Sequence, residues 1–172
     1  MIIETNRLIL RLMKEDDIDD MLKIFTDKNV MESFNLQSFS REQMERWVVR
    51  NLDHQNKYGY GLFSVILKSN NELIGDCGLE HGEFEGKPSV EIGYDFLSKY
   101  WNQGYATEAS KAVKHYTIEK LGIDLKFMCS FIRRNNKASQ RVSEKIGMQN
   151  IKEYKANSIE YYLNAFSKEY FK

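Results

Sequence analysis

Glu91-Ile92-Gly93-Tyr94-Asp95-Phe96 and, after a short linker, Tyr100-Trp101-Asn102-Gln103-Gly104-Tyr105-Ala106-Thr107-Glu108-Ala109 form the stretch that decides how this chain reads. A strand runs into a tight turn and then into a helix. The helical face continues through Ala112, Val113 and Tyr116 and ends at Gly122, a natural C-cap residue. At such a junction the first helical N–H groups have no intrahelical acceptor and present the positive end of the helix dipole, which suits a phosphate-bearing ligand. Gly104 can take positive φ and lets an anion approach the backbone, and Ala106 and Thr107 are small enough not to block it. The plainer alternative is that Gly104 only makes a turn and Thr107 only occupies a first helical turn. The chain has neither G-x-G-x-x-G nor G-K-[ST], so nucleotide readings of the Rossmann or P-loop type lack support.

Downstream, a buried strand over 127–132 leads into Asn136-Lys137-Ala138-Ser139 and a helical stripe of Ala138, Val142 and Ile146 closed by Gly147. Asn135 or Asn136 serves as an N-cap on one reading. On the other, the Asn136 amide and Ser139 hydroxyl reach a ligand lying between two strands. Arg133, Arg134, Lys137 and Arg141 crowd the same place, either as a solvated basic face or as part of that site. A last strand is expected over 159–166, with a short one near Ile151.

Upstream, the alternation of Leu8, Leu10 and Leu12 within residues 2–13 predicts an opening strand. Ile18, Met21, Leu22 and Phe25 behind Glu15-Asp16-Asp17 predict a first helix, the acids sitting at its positive end. Ser40 and Gln43 read as a capping box before a second helix reaching about Lys57. Apolar runs over 62–67 and 73–79, joined by Ser69-Asn70-Asn71, predict an antiparallel hairpin, and residues 80–85 are expected as an acidic surface loop. The expected order is β, α, α, β, β, β, α, β, α, β.

With 172 residues and no compositional break, the chain is expected to form one domain over 1–172. No apolar run approaches the roughly 18 residues that span a bilayer, and Glu4, Arg7 and Arg11 interrupt the N-terminal apolar stretch that a secretory signal needs. A cytoplasmic protein without a membrane partner is therefore expected. Lys plus Arg and Asp plus Glu each total 25, so no global field draws the chain to nucleic acid. Cys77 and Cys129 lack metal-ligand and C-x-x-C spacing; packing roles and no metal are expected.

The stretch from Tyr100 to Ala109, preceded by Glu91-Ile92-Gly93-Tyr94, resembles the acetyl-CoA-binding region of the GNAT acetyltransferases, and within them the RimJ/RimL branch that acetylates ribosomal-protein N-termini. Thr5-Asn6-Arg7-Leu8-Ile9-Leu10-Arg11 is similar to that branch's opening strand, Leu73-Ile74-Gly75 and Gly78-Leu79 to its central hairpin, and Asn136-Lys137-Ala138-Ser139 with Glu144-Lys145-Ile146-Gly147-Met148 to its later helix. The branch usually has Gly after the Trp; this chain has Asn102, which tolerates left-handed geometry better than most residues.

The resemblance implies an α/β fold with a mixed, mostly antiparallel sheet flanked by helices, whose central strands near Tyr94 and Phe131 splay to admit the cofactor's pantetheine arm. It implies acetyl-CoA contacts at Phe96, Leu97, Asn102, Gln103, Gly104, Tyr105, Ala106, Thr107, Asn136 and Ser139, with the N–H groups from Gln103 to Thr107 on the pyrophosphate. The acceptor is a primary amine, on a small molecule or a protein N-terminus, and the chain a monomer or homodimer. Acetyl transfer needs a proton acceptor and a donor to the departing thiolate. Glu91 is expected as the base, since it shares a strand face with Gly93 and Asp95 while Val90, Ile92 and Tyr94 pack; a charge on a solvated sheet face is the alternative. By analogy with the branch, Ser139 is the thiolate donor. A catalytically silent acyl-CoA-binding or regulatory domain is the other function compatible with these residues.

Overall fold

The computed structural model describes residues 2–171. The opening strand expected over 2–13 is in fact a pair. β1 (Ile2–Glu4) and β2 (Leu8–Leu12) run antiparallel, broken at Thr5-Asn6-Arg7, where the Thr5 N–H donates to the Leu8 carbonyl at 3.0 Å. Leu8 and Leu10 are fully buried, as their alternation predicts. The acidic run does not merely decorate a helix end. Glu15–Asp17 forms a 3₁₀ turn that tucks Asp17 inward to 2% exposure, where its carboxylate accepts from Arg11 Nη1 and Nη2, Ser64 Oγ and the Lys14 N–H.

Helix α1 (Ile18–Phe25) follows, then a short helix without strong periodicity, α2 (Lys28–Phe34), capped by the Asp27 carboxylate. The capping box at Ser40 and Gln43 opens α3 (Arg41–Tyr58), which stops at left-handed Gly59. The hairpin is present as β3 (Leu62–Leu67) and β4 (Glu72–Phe84). Residues 80–84, expected as a loop, instead continue β4, because β5 (Lys87–Phe96) pairs with them through the tight turn at Glu85-Gly86. Helix α4 (Tyr105–Glu119), β6 (Met128–Arg133), α5 (Lys137–Ile146), β7 (Gln149–Ala156) and β8 (Ile159–Ala165) complete the chain.

The strands form one sheet in the order β1-β2-β3-β4-β5-β6-β8-β7, antiparallel except between β5 and β6. On one face Phe63, Val65, Cys77, Leu79 and Ile92 pack against Ala109, Val113 and Tyr116 of α4 and Ile146 of α5. On the other, Leu62, Ile66 and Leu73 pack against Met21, Ile24, Val30, Met44 and Val48 of α1, α2 and α3. A sheet covered on both faces explains why β3 is buried along its whole length. The expected α/β architecture with splayed central strands is the one observed.

Candidate active site

The splay has a definite start. β5 and β6 pair in parallel only at Val90 with Met128 and Glu91 with Cys129, after which they diverge. At the fork Glu91 Oε1 accepts a hydrogen bond from the Phe131 N–H at 3.2 Å, so a side chain replaces the ladder acceptor that β5 no longer offers. Burial outweighs that bond and pushes the Glu91 carboxyl up to about 7. β6 is held on its other edge by five residue pairs with β8, which keeps it from following β5.

Beside the diverging end of β5, between it, α2 and the first turns of α4 and α5, lies a cleft of about 350 Å³. Its walls bring together Phe96, Asn102, Gly104, Tyr105, Ala106, Thr107, Asn136 and Ser139, eight residues expected from the sequence to meet a cofactor. Leu97, Gln103 and Glu91 are not among the lining residues: Leu97 packs into the core of α1 to α3, and Gln103 turns its amide to the Lys99 carbonyl at 2.9 Å.

Gly104 sits at φ 83° and ψ 3° as the N-cap of α4, and it carries no side chain that could cap the helix. The N–H groups of the first turn are therefore left to a ligand, at the positive end of a helix of 15 residues. Asn102 adopts φ 60°, the left-handed turn that its residue type permits. Arg141 and Lys145, one turn apart on α5, line the same cleft and add positive charge.

One clamp was not legible from sequence. Glu108, in the first turn of α4, accepts from Thr5 Oγ1 at 2.6 Å, the Arg7 N–H at 2.9 Å and Arg7 Nε at 2.7 Å. Burial alone would raise the Glu108 pKa, but these bonds and the Arg7 charge hold it below the usual range. Arg7 Nη1 also donates to the Gln103 carbonyl at 3.0 Å, and its guanidinium lies 4.2 Å from the centre of the Tyr105 ring. Thus the β1–β2 turn fixes the residues on both sides of Gly104. No local pattern signals a contact between positions about a hundred residues apart.

In the second segment, Asn136 Oδ1 accepts from the Ser139 N–H at 3.0 Å, which is the capping role. Asn136 and Ser139 nevertheless both line the cleft, so capping and facing a ligand coexist. The Tyr94 hydroxyl donates to the Ser139 carbonyl at 3.0 Å, joining β5 to the first turn of α5 across the opening. Opposite, α2 contributes Val30, Ser33 and Phe34 to the wall, together with Asp95 of β5. α2 is tied there because Asp27 Oδ2 accepts from the Ser98 N–H at 2.9 Å and Asn29 Nδ2 donates to Ser98 Oγ at 3.1 Å. Asp95 was seen in the sequence only as a strand-face neighbour of Glu91; a carboxylate inside an otherwise packed strand was the available signal.

The family model for an acetyltransferase (GNAT) domain matches residues 7–149. The Bacillus subtilis protein YkkB is 34% identical over 145 residues, covering 84% of this chain and 83% of that protein. Among solved structures, a GNAT-family acetyltransferase from Bacillus anthracis is 27% identical with a TM-score of 0.80, over 98% of this chain and 99% of that one. RimL, a ribosomal L7/L12 alpha-N-protein acetyltransferase solved in complex with coenzyme A, superposes with a TM-score of 0.76 over 98% of this chain and 99% of that one; at 18% identity that likeness is one of fold.

Proposed function

The chain belongs to the GNAT acetyltransferases, and from that membership we propose that it moves the acetyl group of acetyl-CoA to a primary amine, in the manner of the RimJ/RimL-like branch. The observation that carries this reading is the uncapped α4 N-terminus at left-handed Gly104, opening onto the cleft beside the end of β5. These residues fit the cofactor: backbone N–H groups face the cleft where phosphates need donors, and Arg141 and Lys145 supply charge. Asn102, Gly104, Tyr105, Ala106 and Thr107, with Gln103 through its backbone, hold the pyrophosphate. Phe96 and Asn136 meet the pantetheine arm from the strand and from α5, whereas Leu97, with its side chain in the core and its N–H on the Ile74 carbonyl, does not. That RimL, a protein of this fold, was solved with coenzyme A supports the choice of cofactor.

In the transfer, a neutral amine attacks the thioester carbon. The new C–N bond forms as the C–S bond breaks, the thiolate leaves with coenzyme A, and the amine's excess proton passes to a base. Glu91, with its carboxyl pushed up to about 7 at the fork, is poised to take that proton near neutral pH, directly or through water. Ser139, on the cleft wall, donates to the departing thiolate. The whole chain acts as one domain, in a reducing cytoplasm that suits its two buried free cysteines.

The test is paired. Acetyl-CoA at millimolar concentration raises the melting temperature, whereas adenosine and NAD do so much less, and amines release free coenzyme A thiol from acetyl-CoA. A thermal shift with no thiol release from any amine class identifies a silent acyl-CoA-binding domain instead. No shift at all removes the cofactor and the reading with it.

A further inference from the structure

The strand face turned away from α4 carries an arrangement of which the transfer chemistry above uses only Glu91. β4 and β5 are in register with Asp76 opposite Asp95, Gly78 opposite Gly93 and Glu80 opposite Glu91. Cys77, Leu79 and Ile92 point into the core under α4, so by strand alternation these six residues share the other face. Two carboxylate pairs therefore flank one glycine pair, with about 13 Å of strand between Glu91 and Asp95.

Two independent observations mark this ladder as incomplete. Asp76 is 0% exposed, yet neither of its carboxylate oxygens has a hydrogen-bond partner among the described residues. A Cβ placed on Gly93 would meet nothing within 4 Å, whereas one on Gly78 would strike the Gly61–Leu62 backbone, so the open space between the carboxylate pairs lies on the Gly93 side. That space adjoins the cleft, because Asp95 is one of its lining residues.

A buried carboxylate without donors, directly opposed by a second, half-buried one, is costly, since it is desolvated and the two ions repel. A primary ammonium group removes both penalties, because it brings three N–H donors and a compensating charge. The neighbouring Arg11–Asp17–Ser64 group does not supply them: the Ser64 hydroxyl and both terminal nitrogens of Arg11 are turned to Asp17. The cleft therefore carries both signs of charge, with the α4 N-terminus, Arg141 and Lys145 on its wall together with the Asp95 carboxylate.

We propose that the acceptor is a small aliphatic di- or polyamine, whose unreacted ammonium group is held by Asp76 and Asp95 while the reacting amine lies over Gly93 beside the fork. This rests on the acetyltransferase reading and narrows it to a small polycation. Burial raises the pKa of both aspartates in the free protein, reinforced at Asp76 by Asp95 and Glu80 and at Asp95 by Glu80, and a bound ammonium ionises them.

The test compares kcat/KM for 1,4-diaminobutane and spermidine with that for pentylamine, which has one charge, and for a dipeptide with a free N-terminus. The diamines are expected to exceed pentylamine by roughly 10- to 100-fold, the range that hydrogen bonds to charged groups commonly supply. Asp76→Asn lowers that preference at least about tenfold, with the acetyl-CoA thermal shift reporting that the variant is folded; Asp95→Asn is the second variant. Calorimetric titration of spermidine into the coenzyme A complex gives a readout without turnover. Binding by wild type and its loss in Asp76→Asn upholds the site even if no acetyl group moves, in which case only the transferase reading fails. Turnover without a preference for diamines, a preference that survives both variants, or a dipeptide faster than every diamine overturns the polyamine site and leaves the transferase reading standing.

Discussion

Gly104→Ala separates the backbone role of Gly104 from its role at a ligand. At φ 83° an alanine is in the left-handed region, which costs about 1–2 kcal/mol. Space is not the obstacle in the free protein: the nearest atom to the added Cβ is Arg7 Nη2, at 3.5 Å, an ordinary contact. For a chain of this size 1 kcal/mol moves the melting temperature by about 2–4 °C, so the free variant should melt about 2–8 °C lower. Acetyl-CoA at about a hundred times its Kd stabilises the wild type by about 2.7 kcal/mol. If the methyl group crowds the phosphate and weakens affinity about tenfold, that increment shrinks by about 1.4 kcal/mol, or roughly 3–6 °C. Gly122→Ala is the matched control, since Gly122 has φ 64°, no atom within 4 Å of its added Cβ, and no place in the cleft lining. Differential scanning fluorimetry with and without acetyl-CoA should show both variants weakened alone and only Gly104→Ala short of its ligand increment. Equal increments in the two variants would refute the assignment of Gly104 to the phosphate site.

Asp17→Asn should destabilise the fold by about 3 kcal/mol in urea titration, the low end for a broken buried ion pair, because the Arg11 side chain keeps 28% exposure to water. Burial raises the Asp17 pKa, but Arg11, Ser64 and the Lys14 N–H outweigh it and hold it below its ordinary value. That stability is present above the unfolded pKa near 3.9 and disappears as pH falls through the lower folded value, so the gap between wild type and variant should close on acidification. Glu91 has the opposite sign: with its folded pKa raised to about 7, the wild type loses stability as pH rises from about 4.3 to 7 and then levels off. Glu91→Gln should therefore gain on the wild type between pH 5 and pH 8, and a pH-independent difference would refute the buried position. In turnover, the Glu91→Gln defect should shrink as pH rises and more of the amine is neutral. Ser139→Ala should slow transfer by less than the roughly 2.7 kcal/mol of a well-aligned oxyanion donor, with no such rescue and an unchanged acetyl-CoA shift; wild-type turnover where chemistry is rate-limiting returns Ser139 to a helix-start residue.

The legible parts of the chain are those where the cause lies within a few residues. The Ser40–Gln43 box, the left-handed glycines at 104 and 147 and the alternation of Leu8 and Leu10 each appear where expected, since caps, turns and strand faces are set by local geometry. α2 leaves no periodic signal in the sequence because its 7 residues depend on Asp27 and on the tie to Ser98, a residue about seventy positions away. Residues 80–84 look like an acidic loop because Glu80 and Glu83 are charged, but antiparallel pairing with 87–91 decides their state. The site divides in the same way: the cradle around Gly104 could be read from Trp101 to Thr107, while the Arg7–Glu108 clamp and the Asp76–Asp95 pair exist only once distant strands are side by side.

Glu91 shows how one residue can serve both the shape of the cleft and its chemistry. Two strands that part company expose unpaired N–H and C=O groups, and a buried opening survives only if something satisfies them. Here the Glu91 side chain takes the Phe131 N–H just past the last paired residues, so the fork is stabilised from within. That bond favours the ionised carboxylate, while burial favours the neutral acid, and burial dominates. A glutamate balanced this way holds the strands apart with its acceptor oxygen and keeps a titration point close to neutrality. Gln retains the acceptor and loses the titration, whereas Leu loses both. The difference between those two substitutions is therefore the measure of how much of Glu91 is architecture and how much is acid–base chemistry.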